Sequence, residues 1–156
     1  DASMERICTY GAFRSIGTSD TLHVFNAHFD HIGKESRLQS ALLMVSKMET
    51  YTSVADRIVV MGDFNCEPNS KPIDVFKSRL DDGLNISQMK IVGPFGTYNG
   101  FDPTSIPDRR IDYIFTRNSV VLSYDHLDDK RPNKLCISDH LPVLIKISDT
   151  SKSINY

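Results

Sequence analysis

Residues 59–68 read Val59-Val60-Met61-Gly62-Asp63-Phe64-Asn65-Cys66-Glu67-Pro68. The apolar run from Ile58 to Met61 reads as a buried strand, and it ends at a glycine. Alternation along an extended chain points Asp63 and Asn65 the same way. Two short polar groups at the end of a buried strand can hold a water and a phosphate oxygen, and they add nothing to an apolar core. The same residues also fit an Asx turn closing a strand. The segments on either side decide between these readings.

Upstream, residues 5–13 read as a strand, Gly17 to Asp20 as a turn, and Thr21 to Ala27 as a second strand, together a hairpin. The segment from His28 to Gly33 breaks the pattern as a polar loop. A helix is predicted over 36–51, with Leu38, Leu42, Val45 and Met48 on one face and Ala41 beside them. Strand, helix and strand in succession suggest a layered α/β unit. Downstream, Ser70 can cap a second helix that carries Pro72 in its first turn and an apolar stripe of Ile73, Phe76 and Leu80. Residues 81–108, rich in Gly, Pro, Asp and Asn, read as loop with short strands. Strands follow at 110–116, 120–126 and 141–147. In the first of them Ile111, Tyr113 and Phe115 share one face, and Asp112 and Ile114 the other. Residues 149–156 read as a frayed tail.

A chain of 156 residues is the length of one domain and long enough for a sizeable core. Its 40% hydrophobic and 24% charged residues are ordinary for a globular protein. No stretch is long enough to span a bilayer, and the start has no signal-peptide pattern. A net charge of -2 argues against a wide, sequence-independent nucleic-acid footprint, which needs a basic face. A small phosphate site needs no such excess. Cys8, Cys66 and Cys136 are widely spaced and form no Cys-x-x-Cys pair, which excludes a zinc knuckle. They read as structural or incidental thiols.

Polar residues gather at the ends of the apolar segments. The groups are Asn26, His28, Asp30 and His31; Asp63 with Asn65; Asp112; and Ser138-Asp139-His140 before Leu141-Pro142-Val143. Each has a structural alternative. Asn26 and His28 can simply end a strand, Asp30 can cap a turn, Asp112 can pair with Arg109 or Arg110, and Ser138-Asp139 can form a turn. His23, His31 and His126 read as surface or packing histidines, and Arg37 as a solvated arginine near a helix end. The set says more than its members. Asp63, Asp112 and Asp139 each adjoin apolar sequence, where an ionised carboxylate needs a cation or hydrogen-bond donors. Hard oxygen ligands without a cysteine or histidine cage favour Mg²⁺, Mn²⁺ or Ca²⁺ over zinc. Histidines among carboxylates suit hydrolysis of a phosphate ester.

Gly62-Asp63-Phe64-Asn65, Arg110-Ile111-Asp112-Tyr113-Ile114 and Ser138-Asp139-His140-Leu141-Pro142-Val143 resemble the later motifs of the endonuclease/exonuclease/phosphatase superfamily. Phe25-Asn26-Ala27-His28-Phe29-Asp30-His31 resembles its Asn-Thr-His-Leu-Asp-His segment, with Ala27 in place of threonine. The resemblance implies a four-layer αββα sandwich of which residues 1–148 form the C-terminal half: a mixed, mainly antiparallel sheet with helices on one face. The family's opening asparagine strand and its Gln-Glu motif, whose glutamate binds the metal, are not found in this chain. An exposed sheet face is therefore expected, covered by a missing N-terminal half or by self-association.

By the same resemblance Asp63 orients or deprotonates the attacking water, and Asn65 holds that water or the phosphate. Asp112 orients His140, which contacts a phosphate oxygen or transfers a proton. His28 binds phosphate or protonates the leaving oxygen, Asn26 supports the site, and Asp139 is a metal ligand, with Mg²⁺ the expected ion. Thr97-Tyr98-Asn99-Gly100-Phe101 resembles a segment near the site mouth of some relatives, where Tyr98 and Phe101 can stack on a substrate; they can equally pack the loop. Inositol-polyphosphate phosphatases usually carry Cys-Asp-Arg where Ile111-Asp112-Tyr113 stands, and arginine at Leu141. The motifs lie closer to bacterial nuclease and phosphodiesterase members and to deadenylases. The expected function is metal-dependent hydrolysis of a phosphate ester, with nucleic acid among the candidate substrates and this chain inactive alone. The alternative is a non-catalytic half-domain that binds phosphate or a partner. A calcineurin-like phosphoesterase is excluded by the lack of its Asp-x-His and Gly-Asn-His motifs.

Overall fold

The computed structural model describes residues 1–17 and 20–149. Strand β1 (Cys8–Arg14) pairs antiparallel with β2 (Thr21–Ala27), from Cys8 opposite Ala27 to Arg14 opposite Thr21. Helix α1 (Lys34–Tyr51) crosses over to β3 (Arg57–Asp63), which lies parallel to β2. Helix α2 (Lys71–Lys77) and the two-residue strand β4 (Asp81–Asp82) follow, then the short helix α3 (Gly83–Ile86). Strand β5 (Asp112–Arg117) runs antiparallel to both β3 and β4, giving a five-stranded sheet of order β1-β2-β3-β5-β4. Strands β6 (Ser119–His126) and β7 (Val143–Asp149) form a separate antiparallel pair. The sheet is mixed and mainly antiparallel, as the sequence suggests. No helix among the described residues is long and apolar enough to cross a membrane.

Two cores sandwich the five-stranded sheet. On one face Phe25, Ile58, Val60, Tyr113 and Phe115 pack against Ala41, Met44 and Met48 of α1 and Ile73 and Phe76 of α2. Phe29, Phe64 and Phe76 stack in its centre, with ring centroids 4.8 to 6.1 Å apart. On the other face Val59 and Ile114 meet Val121 and Tyr124 of β6 and the half-buried Val143, Ile145 and Ile147 of β7. The expected open face is thus covered over β3 and β5. It is less well covered toward β1, where Phe13, opposite Leu22, is 62% exposed.

Several local expectations change. Helix α1 begins two residues earlier than expected, at Lys34, because the Asp1 carboxylate accepts from the backbone N–H groups of Glu35 and Ser36 at its start. Its buried stripe is Ala41, Met44 and Met48, and Leu42 is exposed. Leu42 lies about 100° round the helix from Ala41, outside the arc that faces the sheet. Ser70 occupies the N-cap position of α2, but its hydroxyl donates to Glu67 O instead of capping. Helix α3 replaces expected loop and places Leu84 in the second core, away from α1 and α2. Residues 110 and 111 precede β5, and β7 begins two residues later than expected and includes Asp149. The remainder of the expected tail, 150–156, and Thr18 and Ser19 of the expected turn lie outside the described residues.

Candidate active site

Gly62 sets the geometry of the site. Its φ is +140°, and a Cβ there would sit 1.9 Å from Ala27 O, so only glycine lets β3 pass the end of β2 this closely. The strand then delivers Asp63 directly opposite Asp112 of β5. Both side chains emerge on the sheet face away from α1 and α2, the face that carries Ile114 and Met61. Asn26, Asp63 and Asp112 line a cleft of about 190 Å³ that reaches Val143 of β7.

Asp63 is the hub of this cleft. Its Oδ1 accepts the Asn65 backbone N–H at 2.8 Å. Its Oδ2 lies 3.3 Å from His28 Nε2 and 3.7 Å from His140 Nε2. Asn65 has a φ of +50°, a conformation asparagine tolerates well. Its amide donates to Phe29 O at 3.1 Å and approaches Asp63 Oδ2 at 3.4 Å, tying the end of β3 to the loop after β2. That loop is fixed by the fully buried Asp30, whose carboxylate accepts from the N–H groups of Ser3, Met4, Ile32 and Gly33 and from the Ser3 hydroxyl. His28 itself has a largely exposed side chain and faces the open side of Asp63.

His140 is held from the other side. Its Nδ1 lies 2.8 Å from Asp112 Oδ2, and its backbone N–H donates to Ser138 Oγ. The Tyr98 ring meets the imidazole edge-on at a centroid distance of 5.2 Å, and the Arg109 guanidinium lies 5.3 Å from the centre of the Tyr98 ring. The connection between β5 and β7 runs through Thr97, a fully buried residue. Its hydroxyl oxygen accepts from both Ile111 N and Asp112 N at 3.1 Å, and its carbonyl accepts from Leu141 N at 2.7 Å. Thr97 thereby locks the backbones of Asp112 and of the residue after His140 in mutual register. The sequence offered only one sign of this, a threonine inside the Tyr98 segment.

The charges follow from the geometry. Burial and then repulsion from Asp112 push the Asp63 carboxyl up, although Asn65 N–H and the two imidazoles pull it the other way. The hydrogen bond to Asp112, opposed by partial burial, pushes His140 up. Asp63 is thus a carboxylate of raised basicity beside a readily protonated imidazole.

The structure brings together Asn26, His28, Asp63, Asn65, Asp112, Tyr98 and His140. Asp139 adjoins His140 and helps Asp112 to raise its pKa, so it borders this group. Asp139 is half-buried, and the group of side chains able to hold a metal among the described residues is Asp63, Asp112 and His140, with ligand atoms within 4.8 Å of one another. The Asp139 backbone carbonyl instead accepts from Asn99 and Gly100, which anchors the Tyr98 loop. Phe101 is 62% exposed and makes no ring contact among the described residues. The alternative pairings of Asp112 fall away: Arg109 pairs with Glu67, and Arg110 with Asp82. The three cysteines are free thiols.

A metal fits this donor set in part. Two carboxylates in register repel each other, and a hard divalent cation satisfies both. His140 spends Nδ1 on Asp112 and turns Nε2 toward Asp63, so a protonated His140 meets the same two carboxylates and competes with a cation placed between them.

Comparison with known proteins agrees with the geometry. Residues 6–140 match the Endonuclease/Exonuclease/phosphatase family. A family protein from Bacteroides thetaiotaomicron is 35% identical, with a TM-score of 0.83 over 94% of this chain and 57% of its own. The mannosyl-6-phosphatase of the same organism is 33% identical, with a TM-score of 0.84 over 95% of this chain and 59% of its own. The human nocturnin catalytic domain shares the fold at 21% identity, with a TM-score of 0.75 over 94% of this chain and 54% of its own. The chain therefore spans less than three fifths of these solved structures. No curated protein matches it. Motifs, fold and matched residues agree: the chain belongs to the endonuclease/exonuclease/phosphatase family.

Proposed function

We propose that this chain carries the water- and phosphate-handling part of a metal-dependent phosphoric ester hydrolase. The observation that carries the reading is Asp63 poised between His28 and His140, with Asp112 behind His140. The kinship with a mannosyl-6-phosphatase supports ester hydrolysis as the class of reaction.

In this reading Asp63 takes the proton of the attacking water, a task its raised basicity suits. Asn65 fixes the Asp63 carboxylate through its backbone N–H, while its side-chain amide holds the loop of His28 through Phe29 O. His140, protonated and oriented by Asp112, stabilises charge on a non-bridging phosphate oxygen. His28, open to solvent beside Asp63, donates to a phosphate oxygen, and the leaving oxygen takes its proton from solvent. Asp139 would hold the cation together with a glutamate from the completing segment, which leaves Asp63 free to act on the water. Mg²⁺, when bound, neutralises charge on the phosphoryl group. The active unit on this proposal is the chain together with a segment equivalent to the remainder of its solved relatives, which supplies the metal-binding glutamate and covers the sheet toward β1.

The test is hydrolysis of bis-p-nitrophenyl phosphate and p-nitrophenyl phosphate with Mg²⁺, by this chain alone and joined to such a segment. Turnover by the joined protein that falls about 10²- to 10⁴-fold in Asp63→Asn is expected. A fully active Asp63→Asn variant would overturn the assignment. The second reading, a half-domain that binds phosphate or a partner without turnover, is favoured by the partial span of the solved relatives. Its signature is phosphate binding that persists with no hydrolysis in the joined protein.

A further inference from the structure

Four basic side chains line a cavity beside the Asp63 cluster. This cavity of about 560 Å³ opens between the start of α1 and the start of α2, and Asn65 forms part of its wall. Lys34, Arg37, Lys71 and Arg109 line it, with His31 at its edge. Only two carboxylates, Glu35 and Glu67, accompany these four cations, in a chain whose net charge is -2. Glu67 is engaged by Arg109, and Glu35 accepts from Gln39. Arg37 spends one N–H on Asp30 O, which fixes its stem against the loop of His28. The ammonium groups of Lys34 and Lys71 have no hydrogen-bond or ion-pair partner among the described residues. Four cations in one concavity repel one another, and an anion relieves that repulsion. The volume is that of a small-molecule site.

We propose that this cavity is a second phosphate subsite, which selects substrates carrying another phosphate beside the scissile one. The inference rests on the proposed hydrolase reading, because the cavity shares Asn65 with that site. A phosphate bound there would be met by Lys34 and Lys71 as point charges, and by Arg37 and Arg109 as planar donors. A bridging nucleoside and a bridging sugar share this chemistry.

The test uses the chain itself with Mg²⁺ and four probes: thymidine 3′,5′-bisphosphate, thymidine 5′-monophosphate, glucose 1,6-bisphosphate and glucose 6-phosphate. Calorimetry gives affinities, and NMR follows the imidazole signals of His28 and His140. A bisphosphate is expected to bind about tenfold more tightly than its monophosphate, equivalent to about 1.4 kcal/mol, within the range for hydrogen bonds to charged groups. The advantage is expected to fall below about twofold in Lys34→Gln/Lys71→Gln, with monophosphate affinity retained. A gain for one scaffold only supports the subsite and assigns the scaffold. Monophosphates that shift the imidazole signals while bisphosphates bind no more tightly overturn this inference alone. An advantage that survives the double substitution also overturns it. Failure of all four probes to bind or to shift either imidazole overturns the phosphate reading of the main site as well.

Discussion

Asp63 and His140 are pushed in the same direction, and the proposed mechanism needs them in opposite states. Asp63 must be ionised to accept a proton, so activity rises as pH climbs through its raised pKa. His140 must be protonated to stabilise the phosphate, so activity falls as pH passes through its own raised pKa. A bell-shaped profile results, and its limbs belong to the coupled set rather than to single residues. Asp112→Asn removes the hydrogen bond and charge that raise His140. The alkaline limb is then expected to move down toward the ordinary imidazole value, which a pH–rate profile of the joined protein measures; an unmoved limb would show that another group sets it. Asp30 makes a different kind of prediction. Its carboxyl lies well below the usual range because the Gly33 N–H, the Ser3 hydroxyl and other donors favour the ionised form. A depressed pKa contributes stability that is complete above the unfolded value and lost as pH falls through the folded one. The stability gap between the native chain and Asp30→Asn, read from urea unfolding, is therefore expected to be widest near neutrality and to narrow from about pH 4 downward. Asp63, Asn65, His28, Asp112 and His140 stood out in the sequence because family-like motifs place them at or beside apolar runs, and the fold gathers them in one cluster. Thr97 was not, because its role lies in two backbone N–H groups fourteen and fifteen residues away in the chain.

At the scale of elements, β5 is anchored by a buried ion pair that the sequence did not disclose. Arg110 and Asp82 have side chains only 2% exposed, and the guanidinium makes bonds of 2.8 and 2.5 Å to the two carboxylate oxygens. The guanidinium also lies 4.3 Å from the centre of the Tyr113 ring. Tyr113 in turn donates to the carbonyls of Cys66 and Arg110, bridging the end of the catalytic loop and the approach to β5. Arg110→Met leaves the Asp82 charge buried and unpaired, and is expected to cost about 3–5 kcal/mol. Arg110→Met with Asp82→Leu removes both charges and is expected to recover most of that loss, a difference that denaturant unfolding of the two variants resolves. Equal instability of both variants would place the contribution in packing or in the α3 cap that Asp82 supplies. Hydrophobic periodicity found α1 and α2, which have one wet and one dry face, and apolar runs found the long strands that two cores bury from both sides. It missed α3, a single turn capped by the Asp82 side chain, because four residues carry no period. It misplaced Leu42 because a leucine at the margin of a helical stripe is not distinguished by spacing from one inside it.

At the scale of the molecule, the two sheets are unequal, five strands against two. The smaller sheet covers β3 and β5, where Asp63 and Asp112 emerge, and leaves Leu22, Val24 and Met61 only half-buried. Phe13 and Ile7 of the β1 region stand 62% and 81% exposed. An apolar strip of this kind beside an active-site cleft favours association. On the proposal that a further segment completes the domain, the strip and the cleft are closed by the same event, so stability and activity are coupled. A separately produced polypeptide equivalent to the rest of the solved relatives, added in trans, is therefore expected to raise the thermal midpoint of this chain and to switch on Mg²⁺-dependent hydrolysis together. The two effects should share one concentration dependence, because anything that binds only the folded chain stabilises it in proportion to its occupancy. Phe13→Glu, a charge on the strip but outside the catalytic cluster, is expected to weaken both equally, by tenfold or more in the concentration needed. Thermal unfolding and initial rates measured across one titration check this. Activity that appears without a rise in midpoint, or a rise that leaves the site inactive, would separate the strip from the site and overturn the coupling.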